Sequence, residues 1–266
     1  MIRALVVALC LVALPAAAFE GVLHTRMSSP QKLPDGKPFE STGTIQVKGL
    51  NSRMESSGFM GGSAKHIAVT RASEPGVTYI LYPEKQAYTK FDSKKDKPDA
   101  SDTDDVKWTI KRLGKDKVAG RTTEHVLFTK AGSTDETEAW IDQNLVSEAD
   151  IAKILSGGNQ MGQRHSWWAA LKKEGLSGIP IKFVHREKDK PDHTVTFEVT
   201  EVKSQSIPDS AFAIPSGWKE IGFGEGMMTA DQQKQMKDQM QKAMEKMTPE
   251  QRKQFEEMMK QHGGGH

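Results

Sequence analysis

The feature that most constrains this chain is a long succession of short segments in which apolar and polar residues alternate. Turn-forming residues such as Gly49, Pro83, Gly114 and Gly120 separate these segments. Alternation with a period of two is typical of β-strands that bury one face. Because helices do not alternate with these strands, consecutive antiparallel hairpins are favoured over a doubly wound parallel sheet.

About ten or eleven short strands are predicted in this way. A loop is predicted between Ser28 and Phe39, because this stretch holds three prolines and a glycine. The strands are expected at residues 19–27, 42–48, 52–56, 67–71, 78–82, 86–91, 106–112, 122–130, 136–141, 179–187 and 194–203.

Residues 147–174 are the internal segment with helical rather than strand spacing. Ser147 can cap a first helix, and Gly175 is placed to end a second one. An open sheet with this many strands tends to curl, and this helical pair is the internal segment able to cover its concave face. The residues expected in such a lid over a ligand are Ile151, Leu155, Trp167, Trp168 and Leu171.

The adjacent tryptophans allow two interpretations. Neighbouring helix residues point about 100° apart, so Trp167 and Trp168 cannot both face one pocket squarely. In the first interpretation one packs in the core and the other lies at an edge. In the second, the pair contacts an apolar ligand.

The composition changes near the end of the chain. Residues 221–228 are rich in glycine and are predicted to form a flexible linker. Residues 229–266 are rich in Met, Gln and Lys, with helix-capping patterns at Thr229 and Thr248 that predict helices over 230–247 and 249–262. The apolar positions that line the faces of these helices include Met236, Met240, Met244, Met247, Phe255 and Met258.

Three roles for this Met-rich tail are open at this stage. The tail can dock on its own domain or on a partner, since methionine fills adaptable apolar interfaces. Its thioethers can capture a soft metal such as copper(I). It can also bind a membrane surface, although its polar face mixes basic and acidic residues.

The first 18 residues have the pattern of a secretory signal peptide. A short positive start is followed by an apolar run and then by small residues before Phe19. Cys10, the only cysteine, lies inside the apolar run after Leu9, so it is interpreted as part of the signal rather than as a lipidation site. The expected mature protein is periplasmic or secreted, is not membrane-spanning and has no disulfide framework.

Charge and motifs exclude several functional classes. The formal net charge is +2, which argues against a dedicated nucleic-acid binder. No nucleophile elbow, phosphate loop or dinucleotide fingerprint occurs, and the eight histidines show no typical metal-ligand spacing on a stable helix. The sequence therefore predicts no enzyme, no catalytic residues, no metal site and no cofactor.

Several short motifs in a fixed order carry a resemblance to a known family. They are FEGV at 19–22, RM at 26–27, VKG at 47–49, RME at 53–55, LYPEKQAY at 81–88, KVAG at 117–120, EAWI at 138–141 and FAIPSGW at 212–218. The chain resembles uncharacterised exported bacterial proteins known only as a domain of unknown function. This group is similar to the periplasmic lipoprotein carriers LolA and LolB.

The resemblance covers about residues 19 to 220 and implies a half-open barrel with a hydrophobic cavity for acyl chains. The expected fold is mainly β (α+β), a strongly curved antiparallel sheet closed by a helical pair, with a C-terminal helical tail. The expected function is non-enzymatic binding of a lipid or a lipoprotein acyl chain in the cell envelope. The alternative is a structural or stress-related envelope protein that acts through the tail on a protein partner, with soft-metal binding as a variant.

Overall fold

The computed structural model describes residues 19–32, 36–57, 65–92, 107–146, 170–222 and 225–226, apart from the side chain of Pro191. Within these residues, twelve strands form one curved open sheet. The strands are β1 (Glu20–Lys32), β2 (Pro38–Lys48), β3 (Asn51–Ser57), β4 (Lys65–Thr70), β5 (Val77–Tyr82), β6 (Ala87–Asp92), β7 (Trp108–Val118), β8 (Arg121–Lys130), β9 (Glu136–Asp142), β10 (Ile179–Glu187), β11 (Lys190–Ser204) and β12 (Lys219–Glu220).

The strand order in the sheet is β12-β6-β5-β4-β3-β2-β1-β11-β10-β9-β8-β7. Every neighbouring pair is antiparallel except β12 and β6, which are parallel. Two series of hairpins, β1 to β6 and β7 to β11, therefore join where β1 pairs with β11. This arrangement confirms the predicted mainly-β, antiparallel, open sheet.

The predicted loop at Ser28–Phe39 is shorter than expected. β1 continues to Lys32 and β2 begins at Pro38, so much of this stretch is strand. The prolines are accommodated because the register between β1 and β2 shifts after Ser29, close to Pro30, and because Pro38 is the first residue of its strand.

The two faces of the sheet can be followed from the register, because residues directly opposite each other on neighbouring strands share a face. We call the face that carries Leu23, Ile45 and Met54 the row face. The opposite face carries Val22 and Val69, and we call it the strap face.

A strap formed by residues 205–218 covers the strap face over β1 to β6. It contains a 3-10 helix, Asp209–Phe212. Phe212 and Ile207 of the strap are buried against Val69, Tyr79 and other residues of this face. The Arg53 guanidinium donates to the carbonyl of Ala211 at 3.2 Å, and Lys48 Nζ donates to the Ile207 carbonyl and to Asp209 at 3.2 and 2.7 Å. The strap is thus held by both apolar burial and side-chain hydrogen bonds.

The row face is covered instead over β7 to β10. Leu171 and Leu176 are fully buried there against Val126, Ala139 and Ile141. Residues 170–173 are helical, and the helix ends at Gly175, which has a positive φ of 66°. The Leu176 N–H donates to the Leu171 carbonyl at 3.0 Å, which closes the helix end. Gly175 therefore ends a helix as predicted, whereas the rest of the predicted helical pair lies outside the described residues.

Candidate functional site

The row face carries a continuous line of six apolar side chains across six neighbouring strands. The register opposes Ile80 to Ala68, Ala68 to Met54, Met54 to Ile45, Ile45 to Leu23 and Leu23 to Val202. We call these six residues, Ile80, Ala68, Met54, Ile45, Leu23 and Val202, the central row. They arise from the alternation in each strand, which places one apolar residue of every strand at the same level of the sheet.

A second apolar line lies on the same face, four residues further along β1. It runs from Met27 through Phe197, Phe183 and Ala139 to Val126. The rings of Phe183 and Phe197 stack with their centroids 5.3 Å apart. The two lines make the row face apolar from β5 to β8.

Burial changes along this apolar surface. Ala139 and Val126 are buried beneath Leu171 and Leu176, whereas Met54 in the central row is 44% exposed. Ile45, Ala68 and Ile80 are only partly buried. At the other end of the row, Leu23 is buried in a cluster with Trp140 and Ile181, and Ile45 and Val202 pack against this cluster. In the part of the chain that the structure describes, the exposed section of the central row is therefore centred on Met54, with the partly buried Ala68 and Ile80 beside it.

The residues on one side of the central row are small. Val47, Ser52, Thr70 and Thr78 oppose one another there, and the Ser52 and Thr70 hydroxyls hydrogen-bond at 2.7 Å. The other side carries Gly43, Ser56, His66 and Tyr82. Paired hydroxyls and small side chains leave a surface of low relief on the first side. Such a surface fits an elongated apolar group better than a compact polar substrate.

The strap face of β8 to β10 carries a polar cluster instead. The ring of His125 stacks on Trp140 at 4.1 Å between centroids, and its Nε2 lies 2.7 Å from Glu138 Oε2. Glu138 also accepts a hydrogen bond from Arg186, and Trp140 Nε1 donates to Asp116 Oδ2 at 3.0 Å. These partners satisfy one another through cross-strand hydrogen bonds and the ion pair between Arg186 and Glu138.

Electrostatics in this cluster favour the charged carboxylates. Burial raises the pKa of Glu138, but the hydrogen bonds from Arg186 and His125 outweigh it and lower the pKa overall. The backbone N–H of Lys117 and the Trp140 indole lower the pKa of Asp116. Neither carboxyl has the raised pKa expected of a general acid near neutral pH.

The two best-formed depressions of the described surface are small, with volumes of about 90 and 230 Å³. The larger is lined by Asn51, Arg71, Ser73, Asp209, Phe212 and Ala213. Both are below the roughly 300–1,000 Å³ typical of small-molecule pockets. Among the residues the structure describes, no group of three or more His, Cys, Asp or Glu side chains is arranged to hold a metal ion.

Of the residues predicted from sequence to form the lid, the structure describes Leu171, which is fully buried against β8 and β9. The remaining lid residues, Ile151, Leu155, Trp167 and Trp168, lie outside the described residues. So do the tail residues Met236, Met240, Met244, Met247, Phe255 and Met258. No helix in the described ranges is long and apolar enough to cross a membrane.

Sequence reasoning missed the central row. Ile45, Met54 and Ile80 each look like an ordinary inward-facing strand residue, and alternation alone does not say which face remains uncovered. The sequence does hold a signal: when the residues in each turn are counted, apolar residues of successive hairpins fall opposite one another. To use this signal one must know the strand register, which the turns set.

A protein-family model described as a domain of unknown function, DUF4412, matches residues 19–218. No curated protein matches the chain. Among solved structures, the chain is similar to one in the Pseudomonas aeruginosa MucA/MucB complex, with 12% identity and a TM-score of 0.40 over 74% of this chain and 56% of that one. The chain thus spans just over half the length of that relative.

Two further structures are similar to the chain. A LolA superfamily protein from Nitrosomonas europaea has 10% identity and a TM-score of 0.30, covering 75% of this chain and 91% of that one. A DUF1329 family protein from Desulfovibrio piger has 9% identity and a TM-score of 0.30, covering 74% and 90%. Likeness at these identities and TM-scores assigns no function to the chain.

Proposed function

This chain belongs to the DUF4412 family, whose description assigns no activity, and on that premise we propose that it is a non-enzymatic binding protein for an apolar ligand. The ligand class is a lipid or a lipoprotein acyl chain of the cell envelope. The observation that carries the proposal is the central row, an apolar line across six strands whose member Met54 is 44% exposed.

The central row supports binding because exposed apolar surface costs free energy in water. Covering such surface is worth about 25 cal/mol per Å² of apolar area. Contiguous exposed apolar patches on soluble proteins commonly mark ligand or partner sites. An extended acyl chain laid along the row would contact side chains from several strands at once, which suits a curved sheet surface without a deep pocket.

Export to the envelope is the second part of the proposal. It is supported by the signal-peptide pattern of residues 1–18. A lipid-binding protein in this compartment would meet lipids and lipoproteins that leave the inner membrane. The absence of a catalytic motif from the sequence supports binding rather than turnover.

The test measures binding of cis-parinaric acid, a fluorescent fatty acid, to the mature chain. Met54→Asp places a charge in the exposed part of the central row and should raise the Kd at least about tenfold, which corresponds to about 1.4 kcal/mol. Leu113→Asp is the matched control, because Leu113 in β7 is 43% exposed and lies outside the row. This control should bind like the wild type.

Failure of the wild-type chain to bind the probe would contradict the proposal. Equal loss of binding in both variants would also contradict it, because the effect would then not come from the row. Native mass spectrometry of the protein recovered from an envelope fraction gives independent evidence: bound lipid supports the carrier role, and repeated recovery of the empty protein opposes it.

A further inference from the structure

Part of the linker that precedes the tail is held on the row face. Gly226 lies directly against the ring of Tyr82, so that a Cβ at position 226 would collide with this ring. Tyr82 is two residues beyond Ile80 in β5, so both side chains point to the row face. The chain therefore leaves the described region at one end of the central row.

Hydrogen bonds fix this exit point. Lys85 Nζ donates to the carbonyls of Glu225 and Gly226 at 2.6 and 2.8 Å. Just before them, the Ile221 N–H donates to the Tyr88 carbonyl at 2.8 Å, and the Thr89 hydroxyl donates to the Ile221 carbonyl at 2.9 Å. Part of the predicted linker 221–228 is thus attached to the sheet edge, which sets where the following residues begin.

The tail is long enough to cover the exposed part of the row. A helix over 230–247, as the sequence predicts, would be about 27 Å long at a rise of 1.5 Å per residue. The part of the central row from Ile80 to Ile45, before the buried Leu23, spans three inter-strand spacings of about 4.8 Å, which gives about 14 Å. A helix that starts near Tyr82 can therefore extend over the row from β5 to β2.

The chemistry of the two surfaces matches. Met236, Met240, Met244 and Met247 fall on one helix face at the predicted spacing. Opposite them would lie Met54, Ile45 and the small residues on one side of the row. Flexible methionine side chains fill shallow, irregular apolar surfaces well. Helices of this length are marginal in water on their own, so this face needs an apolar partner.

We propose that the stripe formed by Met236, Met240, Met244 and Met247 docks on the central row of the same chain. The tail is then an internal occupant of the ligand site, and an apolar ligand binds by displacing it. The displacement rests on the proposed function, whereas the docking itself does not.

The experiment uses disulfide capture in the mature full-length chain, which has no cysteine of its own if Cys10 is removed with the signal. Met54→Cys is combined in turn with Met236→Cys, Met240→Cys and Met244→Cys, and each protein is oxidised at low concentration. Docking predicts an intramolecular disulfide for at least one of these pairs, seen as a monomer of altered gel mobility and confirmed by peptide mass spectrometry.

Two controls define the face and the site. Asp238→Cys with Met54→Cys tests the opposite side of the predicted helix, about 200° from Met236. Leu113→Cys with Met236→Cys tests a residue of matched exposure outside the row. Both pairs should form at least about tenfold less intramolecular product at equal times, a difference of about 1.4 kcal/mol if it reflects relative populations.

If the Asp238→Cys variant forms the disulfide with Met54→Cys as efficiently as the variants at the methionine positions, the proposal is overturned. If all disulfide products are dimers, the row contacts a second copy of the chain. If Trp168→Cys forms a disulfide with Met54→Cys and no tail position does, the row is covered by the segment 147–169. Either of these outcomes excludes the tail as occupant.

Binding of cis-parinaric acid separates the two proposals. In the captured protein the probe should bind at least about tenfold more weakly, and reduction of the disulfide should restore binding. Capture in a chain that never binds the probe would retain the docking and reject the proposed function. Unchanged probe binding in the captured protein would reject the displacement.

Discussion

The two halves of the sheet bury opposite faces. Over β1 to β6 the strap covers the side that carries Val69, and over β7 to β10 Leu171 and Leu176 cover the side that carries Val126. A third buried cluster contains Leu23, Trp140 and Ile181, and so links residues of the two halves. The difference shows that a wide sheet can bury opposite faces at its two ends without being sandwiched along its whole width.

The two remaining faces, opposite the strap and opposite Leu171 and Leu176, differ in character. In the β8 to β10 half the remaining face carries His125, Glu138 and Arg186, which pair with one another. In the β1 to β6 half it carries the central row, in which Met54 is exposed. A charged face is stable in water without a cover, whereas an apolar one is not. This contrast points to the central row as the functional surface.

The largest expected effect comes from removal of the strap's main anchor. Phe212 is 3% exposed. Phe212→Ala should lower the free energy of unfolding by about 3–5 kcal/mol, because it leaves a cavity against β4 and β5. Urea denaturation measures the change. A variant as stable as the wild type would mean that the strap does not contribute a core to the β1 to β6 half.

The matching change in the other half is Leu171→Ala. Leu171 is fully buried, and the substitution should cost about 2–5 kcal/mol by the same cavity argument. The clusters around Phe212 and Leu171 do not share residues. The losses in the free energy of unfolding caused by Phe212→Ala and Leu171→Ala should therefore add to within about 0.5 kcal/mol in the double variant. Strong non-additivity would show that the two clusters are coupled.

A smaller effect is expected from Glu138 on the charged face. The lowered pKa of Glu138 means that the folded state favours the carboxylate form. The contribution of Glu138 to stability is therefore present above its pKa in the unfolded chain, and it is lost as the pH falls through its pKa in the folded protein. The stability advantage of the wild type over Glu138→Gln should therefore shrink between about pH 6 and about pH 3. Urea midpoints measured over this range give the comparison, with Glu84→Gln at an exposed position as the control. An advantage that does not change with pH would contradict the prediction.

The smallest effects on stability are expected at Leu113 and at Met54 of the central row. Leu113→Ala should change the free energy of unfolding by no more than about 0.5 kcal/mol. Met54→Ala, at matched exposure in the described residues, should cost several times more because the docked tail would cover it, and an equally small cost would mean that the row is uncovered. The larger cost would favour the docked tail and sharpen the contrast between the two remaining faces.

The sequence predicts the strands well because alternation reports local geometry. β12 was not predicted, since two residues carry no pattern. It forms because the backbone N–H groups of Lys219 and Ile221 donate to the carbonyls of Gln86 and Tyr88. The face that each half buries could not be predicted, because it depends on where residues 170–176 and 205–218 return to the sheet. Met54 was missed for the same reason: its exposure is a property of distant segments.

An open sheet has two edge strands, and β7 lies at one of them. β7 presents Lys111, Lys115 and Lys117 to solvent and has an irregular register near Gly114. Charged side chains and a bulge both oppose pairing with a strand of another molecule. At the other edge, β12 and Ile221 occupy part of the free side of β6. Both edges of the described sheet are therefore poorly suited to edge-to-edge pairing with a second molecule.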